Sequence, residues 1–136
     1  MNRQLGRLGE EFVVWFEKQR LLAAKRDDLA GKVDWVAETI GDGLGFDVLS
    51  FEEKDESDRL IEVKTTGMGK YAAFYVTAVE LRCSQDMGDR FHLYRVFEFG
   101  AAPRMYTLRG SLDGKCLLEP TVYRARLLGP NAADQV

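Results

Sequence analysis

The sequence predicts a single α/β domain, on three observations. An amphipathic run near the N-terminus has helical spacing, a pair of apolar runs joined by a polar link has strand character, and a Thr-x-x-Glu box opens a second helical stretch ahead of a long apolar strand. At 136 residues the chain is about one domain long, and a domain of that size buries ~70% of the surface its unfolded chain exposes. The expected boundaries are one domain over residues 1–128 and a loose tail over 129–136.

The first element is expected as a helix over residues 5–25. Leu5, Leu8, Phe12, Trp15 or Phe16, Gln19 and Leu22 mark its apolar stripe, with Glu10, Glu17 and Lys18 off it. Glu10 and Glu11 fall in its early turns, where the helix dipole favours negative charge, and Trp15 and Trp35 are expected in the core. After the charged stretch Lys25 to Asp28 and a short segment through Val33 and Val36 comes Gly41-Asp42-Gly43-Leu44-Gly45. Three glycines in five residues require a tight turn or a close backbone approach.

Phe46 to Phe51 and Arg59 to Thr66 read as strands joined by the polar link Glu52 to Asp58. If Phe51 lies opposite Asp58, Leu49 meets Leu60 and Asp47 meets Glu62, which places like charges ~5 Å apart at Cβ unless something neutralises them. A shift of one residue would send them to opposite faces. Phe74 to Val76 reads as a third strand, Thr77 to Glu80 as a capping box, and Gly88 as the stop of the helix that follows. Arg90 to Phe99 is a long apolar strand. Pro103 turns the chain into Met105 to Arg109, and Asp113-Gly114 predicts a hairpin towards Cys116 to Leu118, which together make a C-terminal β appendage. There is no internal repeat, low-complexity tract or domain-scale linker.

Composition excludes several functions. With 46% hydrophobic and 30% charged residues the chain is globular in type, and no apolar run is long enough to cross a bilayer. The N-terminus enters an amphipathic segment instead of a secretory signal, so the chain reads as cytoplasmic, without a membrane partner. Cys83 and Cys116 lack the paired spacing of a zinc site or disulfide framework. A net charge of −3 argues against nonspecific coating of nucleic acid, whose affinity comes from lysine and arginine. The charge is unevenly spread: residues 38–89 carry 5 Lys+Arg against 12 Asp+Glu, and residues 90–128 carry 7 against 3. An acidic centre beside a basic third suits a metal site flanked by a phosphate-contacting surface, and ordinary solvated charge explains the pattern equally well.

The chemistry concentrates in Asp47 and the triplet Glu62-Val63-Lys64. Strand alternation puts Glu62 and Lys64 on one face and Ile61, Val63 and Thr65 on the other, so a carboxylate and an amine project together. An E-x-K triplet alone is a weak signal, since many solvent-facing strands carry one; Asp47 on the preceding strand, the glycine turn and the apolar frame of Leu60, Ile61 and Val63 strengthen it. Hard carboxylate oxygens without histidine or cysteine suit Mg²⁺, with Mn²⁺ as a substitute. Glu10 reads as a helix acid or as a dipole-stabilised carboxylate. Glu80 reads as a cap, and His92 as a satisfied core or edge histidine. Lys70, Arg90 and Arg95 are candidate phosphate contacts.

These residues carry a resemblance. Gly41 to Phe51, Leu60 to Thr66, Phe74 to Thr77 with Glu80, and Leu93 to Phe97, following a helix with Gly6-Arg7-Leu8-Gly9-Glu10, resemble the domain family related to the C-terminal region of the plant protein NO VEIN. The order of elements resembles the PD-(D/E)XK nuclease-like superfamily, with Phe46 where that superfamily has a proline before the aspartate. The resemblance implies a restriction-endonuclease-like α-β-β-β-α-β core with a mixed sheet. It also implies Asp47 and Glu62 as Mg²⁺ ligands, Lys64 as the residue that orients water or stabilises charge at phosphorus, and Glu10 as the helix acid. The partners implied are nucleic acid, DNA ahead of RNA, and helicase or restriction-type proteins. The expected function is metal-dependent phosphodiester hydrolysis, the alternative a noncatalytic module that binds protein or nucleic acid.

Overall fold

The computed structural model describes residues 2–100 and 102–129 and is a mixed α/β fold. Its order is α1 (Arg3–Ala23), α2 (Asp27–Ala30), α3 (Val36–Thr39), β1 (Val48–Phe51), β2 (Asp58–Thr65), α4 (Ala78–Met87), β3 (Phe91–Phe97) and β4 (Arg104–Arg109), with short 3₁₀ turns at Gly88–Arg90 and Leu112–Gly114. The four strands form one sheet in the order β1-β2-β3-β4. The β1–β2 and β3–β4 pairs are antiparallel, while β2 and β3 are parallel and joined through α4, the crossover that a parallel pair requires.

The β1–β2 register is the expected one from Phe51 back to Val48. Phe51 pairs with Asp58, Leu49 with Leu60 and Val48 with Ile61. The Asp47 amide also donates to the Ile61 carbonyl at 2.8 Å, so Asp47 and Val48 both stand against Ile61 in a bulge, and Asp47 lies just outside the ladder. Val48, Ile61, Val63, Tyr94 and Val96 cover one face of the sheet with Val13 of α1. Phe91, Leu93 and Leu112 cover the other face with Leu81 and Cys83 of α4. Gly9 makes the first packing possible: a Cβ there would lie 1.8 Å from Thr65 Oγ1.

Helix α1 begins where the Asn2 side chain accepts from the Gln4 amide at 2.9 Å, two residues before the expected start. Glu10 therefore lies beyond the first turn, and the dipole reading of Glu10 and Glu11 does not apply, since that turn contains no acid. The buried stripe is also out of phase with the expected one. Gly9, Val13, Glu17 and Leu21 face inward; of the expected stripe Phe12 and Phe16 pack against the core, whereas Leu8, Trp15 and Leu22 are exposed. Glu17, expected outside, is fully buried because it accepts from the Tyr94 hydroxyl at 2.9 Å and from Arg20 Nη2 at 2.8 Å.

Three strand expectations need correction. Phe74 to Val76 joins no ladder, because the Ala72 and Ala73 carbonyls accept from Arg95 Nη2 at 3.1 and 3.3 Å and Phe74 lies under that guanidinium. The third strand of the sheet is β3. There is no separate β appendage: β4 is the edge of the same sheet, and Cys116 to Leu118 forms no strand because the 3₁₀ turn folds Cys116 back onto the Leu112 carbonyl at 2.8 Å. The capping box of α4 forms as expected, and Gly88 ends the helix at φ 55°. Most of the expected tail, residues 130–136, lies outside the described residues. No described helix is long and apolar enough to cross a membrane.

Candidate functional site

The site forms where the glycine turn, β2 and the N-terminus of α4 meet. Gly41, Gly43 and Gly45 all adopt positive φ, and Gly45 presses on α4 so closely that a Cβ would lie 2.7 Å from Cys83 Cβ. The turn delivers Asp47 beside β2, where Asp47 Oδ2 accepts from the Val63 amide at 2.9 Å. Asp42, Gly43, Gly45, Asp47, Glu62 and Glu80 are among the residues that line a cleft of about 400 Å³.

The two facing carboxyl groups are held away from water. Burial raises Asp47 from its ordinary range to about 6, against hydrogen bonds from the Val63 amide and Glu62 that pull it down. Burial, and then the Asp47 charge, push Glu62 well above the usual carboxylate range. Lys64 Nζ stands 3.2 Å from Glu62 Oε2 and 2.8 Å from Glu80 Oε1. Burial alone would lower that amine; Glu62 and Glu80 outweigh it and hold Lys64 charged. Glu80 Oε1 also accepts from the Thr77 amide at 3.0 Å, so one side chain caps α4 and fastens Lys64. Sequence reasoning found the cap and missed the second role, because nothing in the sequence shows that α4 packs its first turn against β2.

Glu10 approaches from α1. Trp35 Nε1 donates to Glu10 Oε1 at 2.9 Å, which draws this tryptophan towards the site. Burial and the Asp47 charge raise Glu10 to about 7. Glu10 lines a neighbouring hollow of about 750 Å³ with Arg3, Arg7 and Asp42, and the last of these borders both hollows.

The expected phosphate contacts separate into different environments. Lys70 and Arg90 are exposed. Arg95 is 1% exposed, and its engagement with Ala72, Ala73 and Phe74 removes it from the surface, a correction to its expected role. His92 is buried, with Nδ1 3.2 Å from the Arg90 carbonyl, as a satisfied histidine should be.

Asp47 and Glu62 are the residues that could hold a cation. Among the described residues no group of three His, Cys, Asp or Glu side chains is disposed to enclose a metal ion. A pair of hard carboxylates fits Mg²⁺, which commonly keeps several waters and takes one or two protein carboxylates beside its substrate's oxygens.

The family model described as Protein NO VEIN, C-terminal, matches residues 9–108. The chain belongs to that family. The match runs from α1 to β4 and takes in Glu10, Asp47, Glu62, Lys64 and Glu80, so every side chain of this cluster lies inside the NO VEIN C-terminal domain. Comparisons with curated proteins and with solved structures returned no match.

Proposed function

We propose that this NO VEIN C-terminal domain is a PD-(D/E)XK-type, Mg²⁺-dependent phosphodiesterase acting on nucleic acid, DNA ahead of RNA. The observation that carries the reading is that Asp47 and Glu62 line one cleft, with Lys64 Nζ 3.2 Å from Glu62 Oε2. The element order supports a restriction-endonuclease-like core, in which α1, the β1–β2 hairpin, α4 and β3 correspond to the expected elements, while Phe74 to Val76, expected as a third strand, joins no ladder.

Each residue has a definite task in this reading. Asp47 and Glu62 present hard oxygens from a site whose burial penalises unneutralised charge, which favours a divalent cation there. Bound at that position, Mg²⁺ would polarise the phosphate and acidify a coordinated water. Lys64, held between Glu62 and Glu80, supplies fixed positive charge where the transition state gathers negative charge. Glu10, protonated up to about pH 7, can give or take a proton from the neighbouring hollow.

A second reading, a noncatalytic module that binds protein or nucleic acid, is favoured by two observations. Lys64 is neutralised by carboxylates on both sides, and the described residues contain no three-ligand cluster. A cleavage assay with Mg²⁺ or Mn²⁺ on several DNA and RNA forms separates the readings. Hydrolysis by wild type, lost in Glu62→Ala and Lys64→Ala, supports the enzyme; equal inactivity or equal activity of all three removes it. Thermal stabilisation by Mn²⁺ in wild type but not in Asp47→Asn gives an independent readout of the cation site.

A further inference from the structure

Between Thr65 and Val79 the chain carries one charged residue, Lys70, and no acid, although it crosses the most acidic part of the sequence. The second half of this stretch alternates in burial. Ala72, Phe74 and Val76 are half-buried, whereas Tyr71, Ala73, Tyr75 and Thr77 are exposed. Phe74 and Val76 pack on the cluster of Phe91, Leu93 and Leu112. Arg95 grips the same stretch from β3 through the Ala72 and Ala73 carbonyls, with its guanidinium carbon 5.1 Å from the centre of the Phe74 ring.

A backbone held this way presents its alternate side chains on a fixed face. Tyr71 is 92% and Tyr75 75% exposed, which leaves two large aromatic rings in water on an anchored segment. Lys70 Nζ lies 5.6 Å from the centre of the Tyr71 ring. The segment leaves the strand that carries Glu62 and Lys64, and it ends at Thr77, which lines the same cleft as Asp47 and Glu62. Flat rings, a neighbouring lysine and the absence of acids suit a flat, anionic ligand that continues into the cleft. In a duplex the base faces are covered by their neighbours, so only unpaired bases can stack on protein rings.

We propose that Tyr71 and Tyr75 form a stacking platform for unpaired bases, with Lys70 at the adjoining phosphate, so that the substrate strand entering the Asp47–Glu62 cleft is single-stranded. This rests on the nucleic-acid reading above, and it adds that a free strand or flap is preferred to a blunt duplex. Stacking depends on the ring alone, so phenylalanine should replace tyrosine at both positions.

The test measures binding in metal-free buffer at one low salt concentration, with labelled oligo(dT) of about 15 nucleotides, oligo(U) and a blunt duplex of equal length. Wild type should bind a single strand more tightly than the duplex, and the two homopolymers distinguish DNA from RNA as its source. Tyr71→Ala and Tyr75→Ala should each weaken single-strand binding by roughly 5- to 100-fold, with duplex binding and melting temperature unchanged. Tyr71→Phe and Tyr75→Phe should retain wild-type binding. Unchanged single-strand affinity in both alanine variants overturns the platform, as does a wild type that prefers the duplex or binds no oligonucleotide. Binding without hydrolysis would refute the enzyme and leave the platform; hydrolysis with fully binding alanine variants would do the reverse.

Discussion

At the scale of single residues, the contact between Gly9 and Thr65 sets how closely α1 approaches the sheet. A methyl group at position 9 would meet Thr65 Oγ1 at 1.8 Å and Thr65 Cβ at 2.8 Å, so Gly9→Ala must push α1 outward. The expected cost is about 1–3 kcal/mol, reduced by the better helix propensity of alanine and partly rescued by Thr65→Ala, as denaturant titration would measure. Glu10 gives a prediction of definite sign. Its folded-state value of about 7 lies above the ordinary 4.5, so the native state keeps a proton that the unfolded chain releases. That contribution to stability is complete below 4.5 and is lost as pH rises through about 7. His92 acts in the opposite sense, because burial lowers it from 6.5 and the unfolded chain takes up its proton first on acidification. The Glu10 contribution is therefore read as a difference: the melting temperature of Glu10→Gln relative to wild type should rise between about pH 5 and pH 7 and level off above that. Glu62 and Lys64 were legible in the sequence because strand alternation puts them on one face; Asp47 was set beside them by an assumed register, and it reaches them from a bulge that the sequence does not mark. The second role of Glu80 was not legible, since it depends on how a remote helix docks.

Among the elements, α1 is bound to the sheet by a buried polar network as well as by apolar contact. Arg59 Nη1 donates to the Tyr94 hydroxyl at 2.7 Å, and that hydroxyl donates to Glu17, which Arg20 holds from the helix itself. Removing the acid leaves the buried Tyr94 hydroxyl without its acceptor, while Arg20 keeps Glu53 and Arg59 keeps Glu52. Glu17→Ala should therefore cost about 1–3 kcal/mol, and Glu17→Gln less, in equilibrium unfolding. This network also explains why the helical stripe was read out of phase. A charged residue at the centre of the buried face cannot be told from a solvated one by hydrophobic periodicity alone, since its partners come from β2 and β3. The same limit applies to residues 74–76, whose strand-like composition was real but whose neighbouring carbonyls are taken by the Arg95 side chain. In contrast, the capping box of α4 depends on a local rule and formed as read, and the β1–β2 pairing took the assumed register from Phe51 back to Val48.

For the whole molecule, the two faces of the sheet have different chemistry. The face under α1 joins an apolar centre to a polar end of Ser50, Arg59, His92 and the Glu17–Tyr94 contact, with Thr65 unpartnered at its other end, while the face under α4 carries the polar column of Glu62, Lys64 and Arg95 among apolar neighbours. The basic C-terminal third does not form a free phosphate surface as a unit. Arg95 is spent on carbonyls, Arg104 pairs with Glu98, and Arg109 donates to the Asp89 carbonyl. Net charge along the sequence located the acidic centre, but it could not show which arginines the fold consumes.

The sheet's two edges also differ. On β1 the edge is partly closed by Asp34, whose amide reaches the Leu49 carbonyl at 3.0 Å while the Leu49 amide returns to the Asp34 carbonyl at 2.8 Å. Among the described residues β4 pairs on one side only, and its outer rim begins at Arg104 and ends at Arg109. An unpaired strand is a template for a second copy, and two such rims brought together antiparallel would place arginine against arginine at both ends. The cost of that encounter discourages self-association through β4. Replacing both arginines with serine should make light scattering after mild heating rise steeply with protein concentration, while wild type stays clear.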